Sequence, residues 1–280
     1  MVQELDQIPK IIHYCWFGGK PLPSNLQECL DSWKLLEGYE VKRWDESNCN
    51  FDENEFVRKS YNEKQLGFIG DYYRLKALYN YGGIYLDTDV KVYKTFDSLL
   101  HYPVFLNFIY DSAIGSAIIG SRPKSPFIKK LLDMYDATIF SKEKCTQIFN
   151  WFDGKLMVND YATSNYYYTY FVLKHYPNFR LNNRFQNMGD FVIFPKELFE
   201  IGTLTGRHYA IHLCAGEWRA QGHKTFSVKE GIKRILRHFP WLYDKMRIII
   251  RKNRYMRGNR RIPFYAYQQA QEQNQPLPDF

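Results

Sequence analysis

The sequence lacks the features that mark membrane-spanning chains and disulfide-stapled ones. No run of about 18 or more uninterrupted apolar residues occurs, as a spanning helix would need. The most apolar window, Tyr102 to Ile119, is broken by Pro103, Asn107 and Asp111. The five cysteines (15, 29, 49, 145 and 214) are odd in number and form no C-x-x-C pair, which argues against a zinc site and against a secreted disulfide framework. Met1 to Ile12 contains no basic segment leading into a long apolar one, so it does not read as a signal peptide. Free thiols in a cytoplasmic protein are the simplest expectation, and no internal repeat is apparent.

What is present is ordinary globular composition with two biases. The 280 residues are 45% apolar and 24% charged, enough for one domain of catalytic size with appendages. Aromatic content is high at 18%, and aromatic surface serves sugar rings and bases as well as cores. The net charge of +8 is uneven: Lys229 to Arg261 holds twelve Lys/Arg against Glu230 and Asp244, so the basic character belongs to one C-terminal segment.

Periodicity outlines the elements. Lys10 to Phe17 reads as a buried strand closed by Gly18-Gly19, Asn25 to Leu36 as a helix, and Tyr39 to Trp44 as a second strand. That order favours an α/β fold with a parallel sheet. Ile69 to Tyr81 returns to helical spacing and is stopped by Gly82-Gly83, because glycine accepts the left-handed conformation at a helix end. Ile84 to Tyr93 reads as a strand. Further strands are expected at Val104 to Ile109, Ala117 to Ile119, Phe191 to Phe194 and Tyr209 to Leu213, with a Tyr-rich helix near Asn159 to Leu173. From about Gln268 the Gln/Asn/Pro-rich residues are expected to be disordered.

The stretch GGIYLDTDV (82–90) puts Asp87 and Asp89 one residue apart. In an extended strand Tyr85, Asp87 and Asp89 share a face. Two converging carboxylates repel unless a cation sits with them, and hard divalent ions such as Mg²⁺ or Mn²⁺ prefer oxygen ligands. A bare D-x-D more often just ends a strand. Here, though, Asp71 and Arg74 lie three apart on one face of the preceding helix, which the Gly-Gly turn joins to the acids.

The pattern D-x-x-R followed by Y-G-G-I-Y-x-D-x-D, with the opening IPKIIHYCWFGGKPLP (8–23), resembles the DXD sugar-binding region of a glycosyltransferase family. That family includes yeast-type α-mannosyltransferases, bacterial capsular polysaccharide transferases and the large clostridial glucosylating toxins. The resemblance implies a GT-A fold, a Rossmann-like mixed sheet flanked by helices that binds a nucleotide-sugar, with retaining transfer and a Mn²⁺ or Mg²⁺ cofactor. It further implies that Trp16 stacks on the base, that Asp71 and Arg74 hold hydroxyls of the donor sugar, and that Tyr85 lines the donor pocket. Asp87 would contact ribose or sugar, and Asp89 would be the direct metal ligand. The late segment Ala210 to Trp218 resembles the family's closing loop through Trp218, with Gly216-Glu217 where a hydroxyl residue often stands. His212 alternates away from Ile211 and Leu213; it is either a structural strand histidine or a further Mn²⁺ ligand.

The expected organisation is a catalytic domain over 1–226, a basic amphipathic helical extension over 227–267 and a tail over 268–280. In the extension, Ile232, Ile235, Leu236 and Phe239, then Leu242, Met246, Ile249 and Ile250, follow helical spacing, with cations largely off those stripes. Such helices suit an anionic membrane surface and equally a packed interface with solvated cations, and no nucleic-acid module accompanies the charge. The expected activity is transfer of a hexose, UDP-galactose or UDP-glucose being the preferred donors over GDP-mannose, to a glycan or lipid-linked acceptor in surface polysaccharide assembly, at or near the inner face of the membrane. The alternatives are a haloacid dehalogenase-type phosphohydrolase, disfavoured by Lys91 after the second acid, and a non-catalytic membrane-associated binding protein.

Overall fold

The apolar run after Pro9 becomes the inner strand of a mixed sheet in the computed structural model, which describes residues 6–141, 149–159, 162–215 and 240–278. The strands are β1 (Ile11–Cys15), β2 (Glu40–Trp44), β3 (Gly83–Leu86), β4 (Val90–Val92), β5 (Val104–Tyr110), β6 (Ala113–Ile114), β7 (Ile118–Ser121), β8 (Thr138–Ser141), β9 (Phe149–Phe152), β10 (Lys155–Asn159), β11 (Gln186–Asn187), β12 (Val192–Phe194) and β13 (Ala210–His212). The main sheet runs β11-β12-β5-β7-β3-β1-β2, with β6 on β5. Strands β1, β2 and β3 are parallel, whereas β7 runs antiparallel between β3 and β5. Beside it, β8-β10-β9 and β13-β4 form two small sheets.

Helices α1 (Ser24–Ser32), α2 (Glu55–Asn62), α3 (Leu66–Tyr81), α4 (Pro126–Asp136) and α5 (Ser164–His175) flank the sheet. Alternation along the strands sends side chains into two cores. On one side Tyr85, Leu106, Phe108 and Ile119 pack with Tyr72, Leu75, Phe127 and Phe171 from α3, α4 and α5. On the other, Ile12, Tyr14, Ile84, Leu86 and Ile118 pack with Trp33, Phe96, Leu99 and Phe199. The aromatic excess is therefore mostly core, and ring pairs such as Tyr135 on Tyr167, 4.4 Å apart and nearly parallel, run through it.

The Gly82-Gly83 turn is required by space as well as by conformation. Gly82 has φ +65° and Gly83 φ +103°, and a Cβ on Gly83 would stand 2.5 Å from the carbonyl oxygen of Ile11. The close approach lets α3 turn directly into β3 beside β1. His13, wholly buried on β1, secures the same turn: Trp44 Nε1–H donates to its Nδ1 at 3.2 Å, and its Nε2–H donates to the Gly82 carbonyl at 2.8 Å. Burial pushes the His13 pKa down to about 4, so the ring is neutral and both contacts hold at physiological pH.

Three expectations are corrected. The expected strand Ile84 to Tyr93 is two strands, β3 and β4, separated by a turn at Asp87-Thr88-Asp89. The helix expected over Asn25 to Leu36 stops at Ser32 and continues as a 3₁₀ turn, Trp33–Leu35, which lets the Trp33 Nε1–H reach the Val90 carbonyl at 2.9 Å. The segment from Gln268, expected to be disordered, is helical over Tyr265–Gln273. It buries Tyr267 and Ala270, and its Gln271 side chain bonds the backbone of Leu181 and Phe179.

The basic extension is described from Pro240. One helix, Pro240–Asn259, follows; the preceding stripe, Ile232 to Phe239, lies outside the described residues. Among the described residues, no helix is long and apolar enough to cross a membrane.

Candidate active site

The acids sit where the first three parallel strands end. The register His13↔Tyr85 places Cys15, the last residue of β1, and the following Trp16 beside Asp87 and the turn, and the carboxyl ends of parallel strands are the usual ligand crevice of α/β sheets. Trp16 is half-buried; its Nε1–H donates to the Lys20 carbonyl at 2.6 Å and its backbone N–H to Trp44. It stands at the crevice edge.

Asp71 and Arg74 meet on one face of α3, Arg74 Nη2 lying 2.7 Å from Asp71 and 3.3 Å from Asp87. Arg74 Nη1 donates to the Ser116 carbonyl at 2.5 Å, and its guanidinium lies over the Tyr85 ring, 4.7 Å from the centroid. The Tyr85 hydroxyl donates to Asp87 at 3.0 Å. Ser164, the first residue of α5, stands beside Asp71 and favours its charged form. Burial nevertheless pushes the Asp71 pKa up to about 6 against the pull of Arg74. For Arg74, burial works against the charge, but Asp87, Tyr85 and Asp71 hold its pKa well above the ordinary value.

The second acid meets a different element. Strand β13 pairs antiparallel with β4, His212 opposite Val90, and the Leu213 N–H donates to the Asp89 carbonyl at 2.8 Å. This puts His212 Nε2 3.3 Å from Asp89 Oδ1, while the Ala215 N–H donates to Asp89 Oδ2 at 2.7 Å. Burial pushes the Asp89 pKa upward, but His212 and the backbone N–H groups of Ala215 and of Asp89 itself outweigh it and hold the carboxyl below its usual range. Asp87, Asp89 and His212 each offer a ligand atom within 4.8 Å of the others. Carboxylate oxygens with one imidazole suit Mn²⁺ or Mg²⁺, so the residues fit the cation that the motif implies.

Of the residues singled out in the sequence, Asp71, Arg74, Tyr85, Asp87, Asp89 and His212 converge, with Trp16 beside them. Trp218 lies outside the described residues. The route differs from the expected one: Asp87 and Asp89 are adjacent through a turn rather than by strand alternation, because the chain must bend to hand β4 to its partner β13. Sequence reasoning missed Ser116 and Ser164, which hold Arg74 and Asp71, and Glu200, whose Oε2 lies 2.8 Å from His212 Nδ1. None of the three stands in a pattern; only the fold brings them to the site.

Residues 23–106 match the family described as "Glycosyltransferase sugar-binding region containing DXD motif", and the chain carries that region. Over 137 residues it is 33% identical to inositol phosphoceramide mannosyltransferase 3 of Schizosaccharomyces pombe, covering 45% of this chain and 36% of that one. It is 32% identical over 133 residues to the mannosyl phosphorylinositol ceramide synthase SUR1 of Saccharomyces cerevisiae, covering 45% and 34%. The chain thus spans about a third of the length of these curated relatives. Among solved structures, a glycosyltransferase involved in glycosylation of the major capsid of PBCV-1 aligns at TM-score 0.40 with 10% identity, over 74% of this chain and 95% of that one. The family match displaces the phosphohydrolase and the non-catalytic alternatives. The geometry agrees, since Asp87 is engaged by Tyr85 and Arg74 rather than presented as a free nucleophile.

Proposed function

We propose that the protein is a metal-dependent, retaining glycosyltransferase of GT-A type that moves a hexose from a nucleotide-sugar to a glycan or lipid-linked acceptor in surface polysaccharide assembly. The observation that carries the reading is the convergence of Asp87, Asp89 and His212 within 4.8 Å, next to the buried Asp71–Arg74 pair. Asp89, with Asp87 and His212, would hold Mn²⁺ or Mg²⁺. Bound there, the cation would supply positive charge to offset that of a departing diphosphate. Arg74 is already engaged on Asp71, Asp87 and Ser116, so its part is to fix two carboxylates whose remaining lone pairs accept donor-sugar hydroxyls. Trp16, just after β1, supplies a ring for the base.

The opening motif favours a UDP-hexose, while the relatives named as mannosyltransferases favour a mannose donor. The test is nucleotide release by the purified protein with Mn²⁺ and UDP-glucose, UDP-galactose or GDP-mannose, alongside thermal shift. One donor should give release that stops on chelation and returns with Mn²⁺. No response to any donor, with hydrolysis of generic phosphoesters instead, would overturn the reading.

The same reading gives the basic extension an anionic membrane surface as partner. Helix Pro240–Asn259 turns Ile248, Tyr255 and Asn259 inward, yet leaves Ile249 53% and Ile250 63% exposed beside Met246 and Met256. Lys245, Lys252, Arg254 and Arg257 are exposed on the same helix. Each cation near an anionic surface contributes about 1 kcal/mol. Sedimentation with phosphatidylserine vesicles should weaken with salt and fall at least several-fold, on the order of tenfold, in an Ile249→Ser/Ile250→Ser variant. Undiminished binding by that variant would refute the assignment.

A further inference from the structure

We infer that Glu200 is a positioning residue that fixes the His212 imidazole for cation binding, and that Tyr255, reaching back from the C-terminal helix, completes its cradle. The inference rests on the reading of Asp87, Asp89 and His212 as a cation site.

Glu200 follows the 3₁₀ turn Lys196–Leu198 and is 0% exposed. A carboxylate taken out of water is costly unless it is hydrogen-bonded, so a wholly buried one persists where its partners are built around it. Three are. Asn107 Nδ2–H donates to Oε1 at 3.0 Å, the Tyr255 hydroxyl donates to Oε2 at 3.3 Å, and His212 Nδ1 lies 2.8 Å from Oε2. The backbone repeats the link, as the His212 N–H donates to the Glu200 carbonyl at 3.2 Å. Space is kept for this arrangement by Gly115, where a Cβ would stand 2.6 Å from Asn107 Nδ2 and 3.0 Å from Glu200 Oε1.

The consequence is directional. With Nδ1–H committed to Glu200, the ring presents Nε2 toward Asp89, 3.3 Å away, which is the nitrogen a cation between Asp87 and Asp89 would meet. A carboxylate behind a ligating histidine sets its tautomer, holds its plane and raises its basicity. Tyr255 also contacts Cys214 Sγ at 3.3 Å, so the helix Pro240–Asn259 touches both Glu200 and the residue two beyond His212. The C-terminal segment, well outside the 23–106 region, thereby helps to shape the site.

The test uses the full chain and Mn²⁺ alone, titrated while the electron paramagnetic resonance signal of free aqueous Mn²⁺ is followed, with melting in metal-free buffer as the measure of fold. Glu200→Gln keeps the shape but removes the charge, and should weaken Mn²⁺ binding by about 10–100-fold. Tyr255→Phe should weaken it by a smaller factor with a near-normal melt. If Glu200→Gln lowers the melting temperature but leaves Mn²⁺ affinity unchanged, Glu200 is merely structural and the inference is overturned. Should that variant fail to fold, unchanged affinity in Tyr255→Phe overturns it instead. Asp89→Asn separates the two levels. If it abolishes Mn²⁺ binding while Glu200 and Tyr255 variants bind normally, only this inference falls; if the unmodified protein binds no Mn²⁺, the cation site falls with it.

Discussion

Asp89→Asn is expected to lower kcat for sugar transfer by on the order of 10³-fold while leaving the fold intact, because it removes the most committed anion of the site. The carboxylate is held by the Ala215 N–H on Oδ2 and by His212 facing Oδ1, and the Leu213 N–H fixes the residue's backbone carbonyl. Asparagine keeps an oxygen for the Ala215 N–H, so the turn between β3 and β4 and the β4–β13 pairing survive. What it loses is the charge, which His212 and the N–H groups stabilise against burial and which makes the position attractive to a hard divalent ion. The thermal shift on adding Mn²⁺ should vanish together with the activity. Steady-state kinetics with the preferred donor, compared with the metal-free melt, decide it: a kcat within about tenfold of the unmodified protein would show that Asp89 is not the principal ligand.

Much of this site was legible in the sequence because its parts are local. The helix face carrying Asp71 and Arg74 follows from three-residue spacing, and the Gly-Gly stop follows from glycine's conformational freedom, so α3 and the start of β3 emerge within a few residues of their expected positions. The turn at Asp87-Thr88-Asp89 was not legible. Ile84, Leu86 and Val90 alternate well enough for one long strand, and only the need of β4 to pair with β13, over a hundred residues later, bends the chain there. Ser116, Ser164 and Glu200 were invisible for the same reason, since each acts through a contact formed by remote chain. The tail failed differently. Gln-rich composition suggested disorder at Gln268, but Tyr267 and Ala270 give that helix a buried face, and Gln271 pairs with backbone rather than solvent.

Arg74→Met should be the most destabilising single change at this site, costing about 3 kcal/mol, because it leaves the buried Asp71 and the half-buried Asp87 without the cation between them. Methionine fills much of the same volume, so the loss reports charge and hydrogen bonding more than packing. Its pH dependence carries a sign. The folded Asp71 pKa, about 6, already exceeds the ordinary 3.8, so its contribution is fully favourable below 3.8 and is lost as pH rises through about 6. Removing Arg74 takes away the group that pulls Asp71 down and drives its pKa higher still. The stability gap between Arg74→Met and the unmodified protein should therefore widen from pH 5 toward pH 8, as measured by denaturant unfolding at each pH. In Asp71→Asn/Arg74→Met the gap should shrink and lose that part of its pH dependence, since no acid remains at position 71 to be stranded. A gap that stays constant from pH 5 to pH 8 would show that the ion pair is not what holds α3 against the acid turn, and that the loss comes from the bonds to Ser116 and Gly70 instead.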